Sequence, residues 1–251
     1  MTTSNLQGKV AVVTGGALGL GRQVTAQLLE QGARVAILGR TAATLQRAAD
    51  ELGEHLLPVV ADVADPQQVR HAFATIVAKF GGVDILVNNA AVYKAFGLDE
   101  ASDEELQTTF AVNVLGPSYS IREAIPLMRQ RGGGDIVNVS SESTRAPFPL
   151  LAAYAASKGA LETLSAGLRN ELRADGIRVM VFRSGHMDGD NTSVLSWPEG
   201  RLQQFLEAIE ASGHGRFVGA SMAPQTVARA LVSAIALPRE TNVDLFEVRP
   251  A

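Results

Sequence analysis

The chain has 251 residues, of which 46% are hydrophobic and 19% are charged, and its formal net charge is −4. This balance excludes an intrinsically disordered chain and allows a large apolar core. The sequence contains no cysteine, which excludes disulfides, thiolate nucleophiles and cysteine-bound zinc, and favours a reducing, cytoplasmic location. The first residues lack the apolar segment of a signal peptide, and no stretch approaches the ~20 apolar residues of a membrane-spanning helix. Because lysine and arginine are dispersed, we expect a small-molecule partner rather than nucleic acid or a membrane.

Short apolar runs rich in β-branched residues alternate along the chain with segments of helical periodicity. The runs predicted to be strands are Val10–Val13, Val35–Leu38, Leu57–Val60, Ile85–Val87, Ile136–Val139, Val179–Phe182 and a seventh candidate, Val243–Val248. The predicted helices are Arg22–Gln31, Ala42–Leu52, Pro66–Phe80, Asp103–Met128, Tyr154–Ala174, Arg201–Ile209 and Pro224–Ala236. Continuous apolar runs are typical of strands buried on both faces, and their alternation with helices predicts right-handed βαβ crossovers. We therefore predict an α/β fold of the Rossmann type, a doubly wound, seven-stranded parallel sheet with helices on both faces.

Local chemistry marks the ends of the predicted helices. Asp65 followed by Pro66 is the pattern of an N-cap residue before a proline at the first helical position. Gly53 and Gly176 stand where helices are expected to end.

The sequence predicts a single dinucleotide-binding domain over residues 1–251. It contains no Pro/Gly/Ser-rich linker, low-complexity segment or internal repeat. The alternation of strands and helices stops between Ser184 and Ala223, where one short amphipathic helix is predicted between glycines. We interpret residues 184–223 as a lid over a substrate site.

A glycine-rich turn joins the first strand to the first helix, in the sequence Thr14-Gly15-Gly16-Ala17-Leu18-Gly19-Leu20-Gly21. Glycine permits a tight turn and close approach of the backbone to a ligand, and the helix N-terminus offers N–H groups and partial positive charge to a pyrophosphate. This context predicts a dinucleotide site at Gly15, Gly19, Leu20 and Gly21. A glycine-rich turn without a ligand is the alternative.

The residues after the second and third strands indicate which dinucleotide is bound. Many NAD-binding folds place a carboxylate after the second strand, whereas this chain has Gly39-Arg40-Thr41. Arginine can pair with a ribose 2′-phosphate and stack on adenine, so NADP(H) is favoured over NAD(H), with a solvated arginine as the alternative. Asp62-Val63 follows the third strand and would suit the adenine amino group. An aspartate that merely precedes a helix would look the same.

The spacing of polar residues after the fifth strand indicates proton transfer. Ser141 follows this strand, and Tyr154 and Lys158 occur in Tyr-Ala-Ala-Ser-Lys. Residues four apart on a helix share a face, so the Lys158 ammonium should lie near the Tyr154 phenol. This cation, aided by the positive charge of the oxidised nicotinamide, should lower the pKa of Tyr154 toward neutrality. Tyr154 would then act as an acid/base, and Ser141 would donate a hydrogen bond to the substrate oxygen. The four histidines are scattered, and no metal site is predicted.

Together with Asn88-Asn89-Ala90-Ala91 after the fourth strand and Asn113 in the next helix, these motifs resemble the short-chain dehydrogenase/reductase family over nearly the whole chain. The resemblance implies that cofactor binds first and that hydride moves at nicotinamide C4 while Tyr154 exchanges the hydroxyl proton. It also implies a homodimer or homotetramer formed through long helices.

The resemblance carries over to individual residues. It implies a catalytic tetrad of Asn113, Ser141, Tyr154 and Lys158, in which the asparagine holds a water that links the lysine to solvent. It further implies that the cofactor contacts the glycine motif and four other residues: Asn89, Ala90, Tyr154 and Lys158.

The chain departs from the family pattern after the sixth strand. The family usually has Pro-Gly there, followed by a threonine that holds the nicotinamide carboxamide, whereas this chain has Ser184-Gly185. The threonine position falls near Asp188-Gly189, and Thr192 is a candidate substitute. Two consequences are possible at this point: the nicotinamide pocket is looser than in the family, or a shifted loop restores the contacts.

The substrate is less well indicated than the cofactor. The C-terminus lacks the Asp-Gly-Gly ending of acyl-carrier-protein reductases and looks more like that of members acting on small 3-oxo or 3-hydroxy acids and semialdehydes. An anionic substrate could meet the basic residues around the lid, or these could be exposed loop residues: Arg183, His186, His214 and Arg216. Aromatic residues could line the pocket or pack the lid: Tyr93, Phe96, Phe148, Trp197 and Phe205.

The leading hypothesis is an NADP(H)-dependent oxidoreductase for a carbonyl or secondary alcohol, of the ketoreductase or 3-hydroxy acid dehydrogenase kind. The alternative is a catalytically silent dinucleotide sensor or interaction protein on the same fold, since a fold alone does not establish a function. Epimerase or dehydratase relatives normally need a larger substrate domain.

Overall fold

A computed structural model describes residues 6–188, 197–215 and 219–251. Its strands are β1 Val10–Thr14, β2 Arg34–Gly39, β3 Leu56–Val60, β4 Ile85–Asn88, β5 Gly134–Ser141, β6 Ile177–Ser184 and β7 Leu245–Val248. Its α-helices are α1 Gly19–Glu30, α2 Ala42–Leu52, α3 Pro66–Phe80, α4 Asp103–Phe110, α5 Gly116–Gln130, α6 Ala152–Leu172, α7 Arg201–Ala211 and α8 Pro224–Ile235. Among the described residues, no helix is both long and apolar enough to cross a membrane. Thr192 and Arg216 lie outside the described residues.

The strands form one seven-stranded sheet in the order β3-β2-β1-β4-β5-β6-β7, and every neighbouring pair is parallel. The order reverses between β1 and β4, where the chain crosses from one half of the sheet to the other. The predicted Rossmann-type fold is therefore confirmed. In such a sheet the loops at the carboxyl ends of the strands converge beside the reversal point.

The sheet is buried on both faces. Successive β1 residues point to opposite sides, so Val13 packs in a layer with α1 and α8, whereas Val12 packs in a layer with α3 and α5. Both valines have no exposed surface. This double burial explains why the strands appear in the sequence as continuous apolar runs.

Two of the predicted helix signals act as expected. The Asp65 side chain accepts hydrogen bonds from the N–H groups of Gln67 and Gln68 at 2.8 and 3.2 Å, and so caps α3. Gly53 follows α2 with φ of +96°, and Gly176 has φ of +67°.

The prediction of one continuous helix over Asp103–Met128 is wrong. Residues Ala111–Leu115 form a π-helical turn between α4 and α5. Pro117 has no N–H to donate to the Asn113 carbonyl four residues earlier, so the α-helical hydrogen bonding cannot continue through this turn. π-helical turns within helices are frequent at functional sites, and this one contains Asn113.

Candidate active site

A cleft of about 990 Å³ lies at the carboxyl edge of the sheet. The loops after β1 to β6 all contribute lining residues, and so do several described residues of the predicted lid, among them Trp197, Leu202 and Phe205. The cleft therefore spans the reversal point of the strand order, where open α/β sheets bind their ligands.

The glycine turn after β1 leaves no space for a side chain at Gly16 or Gly21. Gly15 has φ of +66°, and a Cβ on Gly21 would lie 2.3 Å from the Gly15 carbonyl oxygen and 2.5 Å from Nδ2 of Asn89. Asn89 Nδ2 donates to the carbonyl oxygens of Thr14 and Gly15 at 3.0 and 3.3 Å. Asn89 thus holds the turn in place from the neighbouring strand, and the N–H of Ala90 bonds Thr14 Oγ1 at 3.0 Å.

The N-terminus of α1 opens into this cleft without a cap. Leu18 precedes the helix and makes no side-chain capping bond, and the first turn contains no acidic residue. The first turn carries the predicted residues Gly19, Leu20 and Gly21, and Gly19 and Leu20 line the cleft. Uncapped N–H groups and the helix dipole favour an anion at this position.

Arg40 lies at the outer end of the cleft, directly after β2. Its side chain is exposed and has no carboxylate within ion-pair distance among the described residues. Asp62 and Val63 line the same end, and Asp62 Oδ1 accepts a hydrogen bond from the N–H of Ala64 at 2.9 Å. A guanidinium without a protein partner is available here for a phosphate.

Ser141 and Tyr154 meet in the middle of the cleft. Ser141 is the last residue of β5, Tyr154 lies in the first turn of α6, and both line the cleft, with the Ser141 hydroxyl close enough to the phenol to act on its pKa. Ser141 Oγ also accepts from the N–H of Ser143 at 3.2 Å. This bond leaves the hydroxyl proton of Ser141 for Tyr154 or for another oxygen beside it.

Burial shifts the pKa values of Tyr154 and Lys158 in opposite directions. Desolvation raises the pKa of Tyr154 to about 12, against the lowering effect of the Ser141 hydroxyl. Desolvation lowers the pKa of Lys158 to about 8. In the chain without cofactor the pKa of Tyr154 is raised, because desolvation of the phenolate is the larger effect. The predicted lowering also depends on the charge of the oxidised nicotinamide and stays a prediction.

The geometry around Lys158 accounts for this result. Its Nζ atom lies 5.8 Å from the centre of the Tyr154 ring and donates to the carbonyl oxygen of Val139 at 2.8 Å. At neutral pH Tyr154 is therefore protonated and can donate a proton.

Asn113 is fully buried beside this group, and its side chain does not line the cleft. Its Oδ1 atom accepts from the N–H of Val92 at 2.8 Å, and its Nδ2 atom donates to Val92 O at 2.9 Å and to Ser157 Oγ at 3.0 Å. The side-chain amide thus ties the loop after β4 to α6. Both of its side-chain N–H groups donate to protein atoms, and the water that the resemblance implies at Asn113 stays a prediction.

A partly buried ion pair, which sequence reasoning missed, braces the Ser141 turn. Arg183 binds both carboxylate oxygens of Glu162, at 2.7 and 3.1 Å. Glu162 also accepts from Ser140 Oγ at 2.6 Å and from Thr144 Oγ1 at 2.9 Å. Burial raises the pKa of Glu162, but these hydrogen bonds outweigh it and hold the pKa below its usual value. The one sequence signal was the position of Glu162, four residues after Lys158 on α6.

Arg183 is thereby unavailable to an anionic substrate, because it also pairs with Glu247 at 3.1 Å. Glu142 is a second carboxylate that sequence reasoning missed. It lines the cleft beside Ser141, is 4% exposed and pairs with Arg249 at 3.3 Å. Burial raises the pKa of Glu142.

Ser184, in place of the family's usual proline, extends β6 to a position between Ser141 and Val248. The following residues are held by backbone bonds to Met222, which donates to the His186 carbonyl at 3.1 Å and accepts from the Asp188 N–H at 2.9 Å. The loop is therefore anchored without proline. Asp188 lines the cleft at the position where a threonine was expected, and Gly189 and Thr192 lie outside the described residues.

These features fit a nicotinamide dinucleotide. The glycine turn offers a cradle that a Cβ would fill, α1 offers an uncapped N-terminus, and Arg40 offers an unpaired guanidinium. In the described part of the chain, no group of three or more histidine, cysteine, aspartate or glutamate side chains is arranged to hold a metal ion.

Comparison with known proteins gives consistent matches. A family model described as short chain dehydrogenase matches residues 9–200. An uncharacterized oxidoreductase of Staphylococcus aureus (strain USA300) is 29% identical over 246 residues, with 98% of each chain covered.

Solved structures agree. L-sorbose reductase from Gluconobacter frateurii, complexed with NADPH and L-sorbose, is 27% identical with a TM-score of 0.86, covering 99% of this chain and 97% of that one. The 3-ketoacyl-(acyl-carrier-protein) reductase from Brucella melitensis, complexed with NADH, is 29% identical with a TM-score of 0.84, covering 97% of this chain and 98% of that one.

The similar structures thus include one with NADPH and one with NADH. The family model spans most of the chain, including the glycine turn, Arg40, Ser141, Tyr154 and Lys158. The chain therefore belongs to the short chain dehydrogenase family and is an oxidoreductase.

Proposed function

We propose that this protein is an NADP(H)-dependent oxidoreductase that transfers a hydride between nicotinamide and a carbonyl or secondary alcohol substrate, as a ketoreductase or 3-hydroxy acid dehydrogenase does. The observation that carries the proposal is that Tyr154 and Ser141 line the same cleft as the glycine turn. An acid/base and a phosphate cradle within one cleft are the two parts that this reaction requires.

The bound nicotinamide supplies or accepts the hydride. Tyr154, protonated at neutral pH, donates its proton to the carbonyl oxygen of a ketone as the oxygen gains charge. Ser141 donates a second hydrogen bond to the same oxygen, which orients the substrate and stabilises the developing alkoxide. Lys158 supplies positive charge beneath the tyrosine when it is protonated, and its pKa of about 8 keeps it largely protonated at neutral pH. Asn113 positions α6 through Val92 and Ser157.

The dinucleotide would contact the glycine turn at Gly15 and Gly19–Gly21, with Arg40 at the 2′-phosphate. Asp62 and Val63 would border the adenine, and Asn89 and Ala90 would lie along the dinucleotide. The exposed, unpaired guanidinium of Arg40 supports NADP(H), as does the NADPH complex of L-sorbose reductase. The NADH complex of the ketoacyl reductase makes a direct comparison of the two cofactors necessary.

The proposal treats residues 1–251 as one domain in which residues 184–223 act as the lid. Assembly as a homodimer or homotetramer is part of the same proposal and is tested by light scattering of the purified protein.

The test is loss of NADPH absorbance at 340 nm with a panel of ketones, aldehydes and 3-oxo acids, in the wild type and in Tyr154→Phe. We expect the variant to lose about 10²–10⁴-fold in kcat/KM while NADPH affinity stays within about twofold, because only the proton donor is removed. Tyr119→Phe is the matched control, since Tyr119 lies on α5 against Arg122 and outside the cleft.

Near-wild-type turnover in Tyr154→Phe would disprove the assigned role. Tight NADPH binding without turnover of any panel member would support the silent dinucleotide sensor instead.

A further inference from the structure

The part of the cleft beyond Tyr154 is walled by aromatic rings, and we call it the aromatic end: Tyr93, Phe148, Trp197 and Phe205. Tyr93 meets the Tyr154 ring edge to face, with 5.0 Å between ring centres. Trp197 lies 5.4 Å from Tyr93 and 5.5 Å from Phe205 by the same measure. Of the aromatic residues considered from the sequence, only Phe96 does not line the cleft. These rings present hydrocarbon surface directly beside the proton donor.

The indole N–H of Trp197, the largest of these rings, already donates a hydrogen bond within the protein. Trp197 Nε1 donates to the main-chain carbonyl oxygen of Tyr93 at 2.9 Å. The bond links the lid to the loop after β4 and leaves the indole only its apolar faces to offer to a ligand. Shape and apolar contact, rather than hydrogen bonding to Trp197, therefore select what binds here.

Helix α7 contributes further exposed apolar side chains to the wall of the cleft. Leu202 and Leu206 are one helical turn apart and line the cleft, and they are 45% and 55% exposed. Phe205, between them, is 7% exposed and packs inward. Exposed leucines on the wall of a cleft, next to a catalytic group, are surface that an apolar ligand would cover.

The charges at this end oppose an anionic ligand. Burial and the nearby Glu142 carboxylate raise the pKa of Tyr93, which places Glu142 at this end, and Asp188 is a further carboxylate of the cleft lining. Among the described lining residues the cations are Arg40, at the opposite end of the cleft, and Lys158, behind Tyr154. Arg183 is held by Glu162 and Glu247, and His214 packs against Phe148 at 5.3 Å between ring centres. His186 also lines the cleft, and Arg216 lies outside the described residues. Among the described lining residues, no arginine and no lysine other than Lys158 lies at this end, so a substrate carboxylate would lose its water here without gaining a guanidinium partner.

We propose that the substrate is an uncharged ketone or secondary alcohol with an aromatic or bulky aliphatic group, and not a carboxylate-bearing oxo or hydroxy acid. The carbonyl oxygen lies between Tyr154 and Ser141, and the apolar group fills the aromatic end beneath α7. This inference rests on the proposed oxidoreductase function and narrows its substrate class.

Binding can be tested separately from turnover because Trp197 is the single tryptophan of the chain. Cyclohexyl methyl ketone and 4-acetylcyclohexanecarboxylate differ by one carboxylate. In the presence of NADP⁺, which cannot reduce a ketone, each is titrated while the tryptophan fluorescence is recorded. We expect the neutral ketone to change the fluorescence with at least about tenfold higher affinity, because only the carboxylate must shed its hydration beside Glu142 and Asp188.

Turnover is then measured with NADPH on the same pair, in the wild type and in Leu206→Lys. The wild type should prefer the neutral ketone by about 100-fold in kcat/KM. Leu206→Lys places a cation on an exposed position of the wall and should reduce this preference about tenfold. Leu98→Lys is the matched control, since Leu98 is 66% exposed and does not line the cleft, and should leave the preference unchanged.

The outcomes separate the two proposals. A wild-type preference for the carboxylated ketone, or no fluorescence change with either ketone, overturns the substrate assignment. Selective binding of the neutral ketone, with no turnover of either ketone by NADPH, supports the apolar pocket and counts against the oxidoreductase proposal.

Discussion

One end of the cleft is lined mainly by main-chain atoms and the other mainly by side chains. At the end that we call the dinucleotide end, Gly15, Gly21 and the first turn of α1 present main-chain atoms, and a Cβ on Gly21 would meet Gly15 O at 2.3 Å. At the aromatic end the wall consists of side chains, including Trp197 and Phe205. Main-chain recognition depends on backbone geometry and tolerates no added atom, whereas a side-chain wall can be changed residue by residue. We therefore expect the dinucleotide end to determine the chemistry and the aromatic end to determine the substrate.

Adding one methyl group should break the dinucleotide end. In Gly21→Ala the Cβ would overlap Gly15 O and Asn89 Nδ2, so the turn must shift. We expect NADPH affinity, measured by fluorescence titration, to fall about 100-fold, with a lower melting temperature. Gly167→Ala is the control, because Gly167 lies on α6 with nothing within 4 Å of an added Cβ. Unchanged affinity in Gly21→Ala would show that the turn does not cradle the dinucleotide.

Lys158, where the two ends meet, should cost stability at neutral pH. Burial lowers the pKa of Lys158 to about 8 in the folded chain, below its ordinary value of 10.5, so the unfolded chain binds the proton more tightly. Stability should therefore rise as pH increases from about 8 toward 10.5, and the penalty is greatest below pH 8. Relative to Lys158→Met, the unfolding free energy of the wild type should increase by about 2 kcal/mol between pH 7 and pH 9.5.

Urea unfolding without cofactor at several pH values measures this difference. Lys79→Met, at an exposed position of α3, should retain the pH dependence of the wild type. A difference between wild type and Lys158→Met that does not change with pH would contradict the assigned pKa shift.

The smallest effect should come from Arg40, which acts through an exposed side chain at the dinucleotide end. Arg40→Ala should weaken NADPH binding about tenfold and leave NADH binding unchanged, since only NADPH carries the 2′-phosphate. Arg47→Ala, on the exposed face of α2 and outside the cleft lining, should change neither affinity. An equal loss for both cofactors would assign Arg40 to something other than the 2′-phosphate.

Much of the fold could be predicted because local patterns and tertiary packing agree. The runs that form β1 to β6, the Asp65 cap and the glycine turn all depend on short stretches of chain. The π-helical turn at Asn113 was missed, although Pro117 offered a signal for it. The backbone conformation of Leu150 was also missed. Its φ is 60°, in a strained region for leucine. Its carbonyl oxygen accepts a hydrogen bond from the Phe96 N–H at 2.8 Å. No local pattern predicts such a residue, because contacts with a distant loop hold it there.

The pKa of Tyr154 shows the limit of spacing arguments. A lysine four residues later correctly placed a cation on the same helix face, but the shift depends on how much water the folded chain removes from the phenol. Likewise, Arg183 looked available to an anionic substrate until Glu162, on another element, was found to bind it.

The sequence by itself determined the strand–helix order, the glycine turn and the Tyr154–Lys158 pair, since each depends on residues within one or two turns of each other. Only the tertiary structure decided that Ser141 and Tyr154 line one cleft, that Glu162 braces the turn, and that rings from three separate segments enclose the substrate end. These contacts join residues far apart in the chain. The side chains lose their water and reach their contact distances only once the sheet and the lid have brought these segments together.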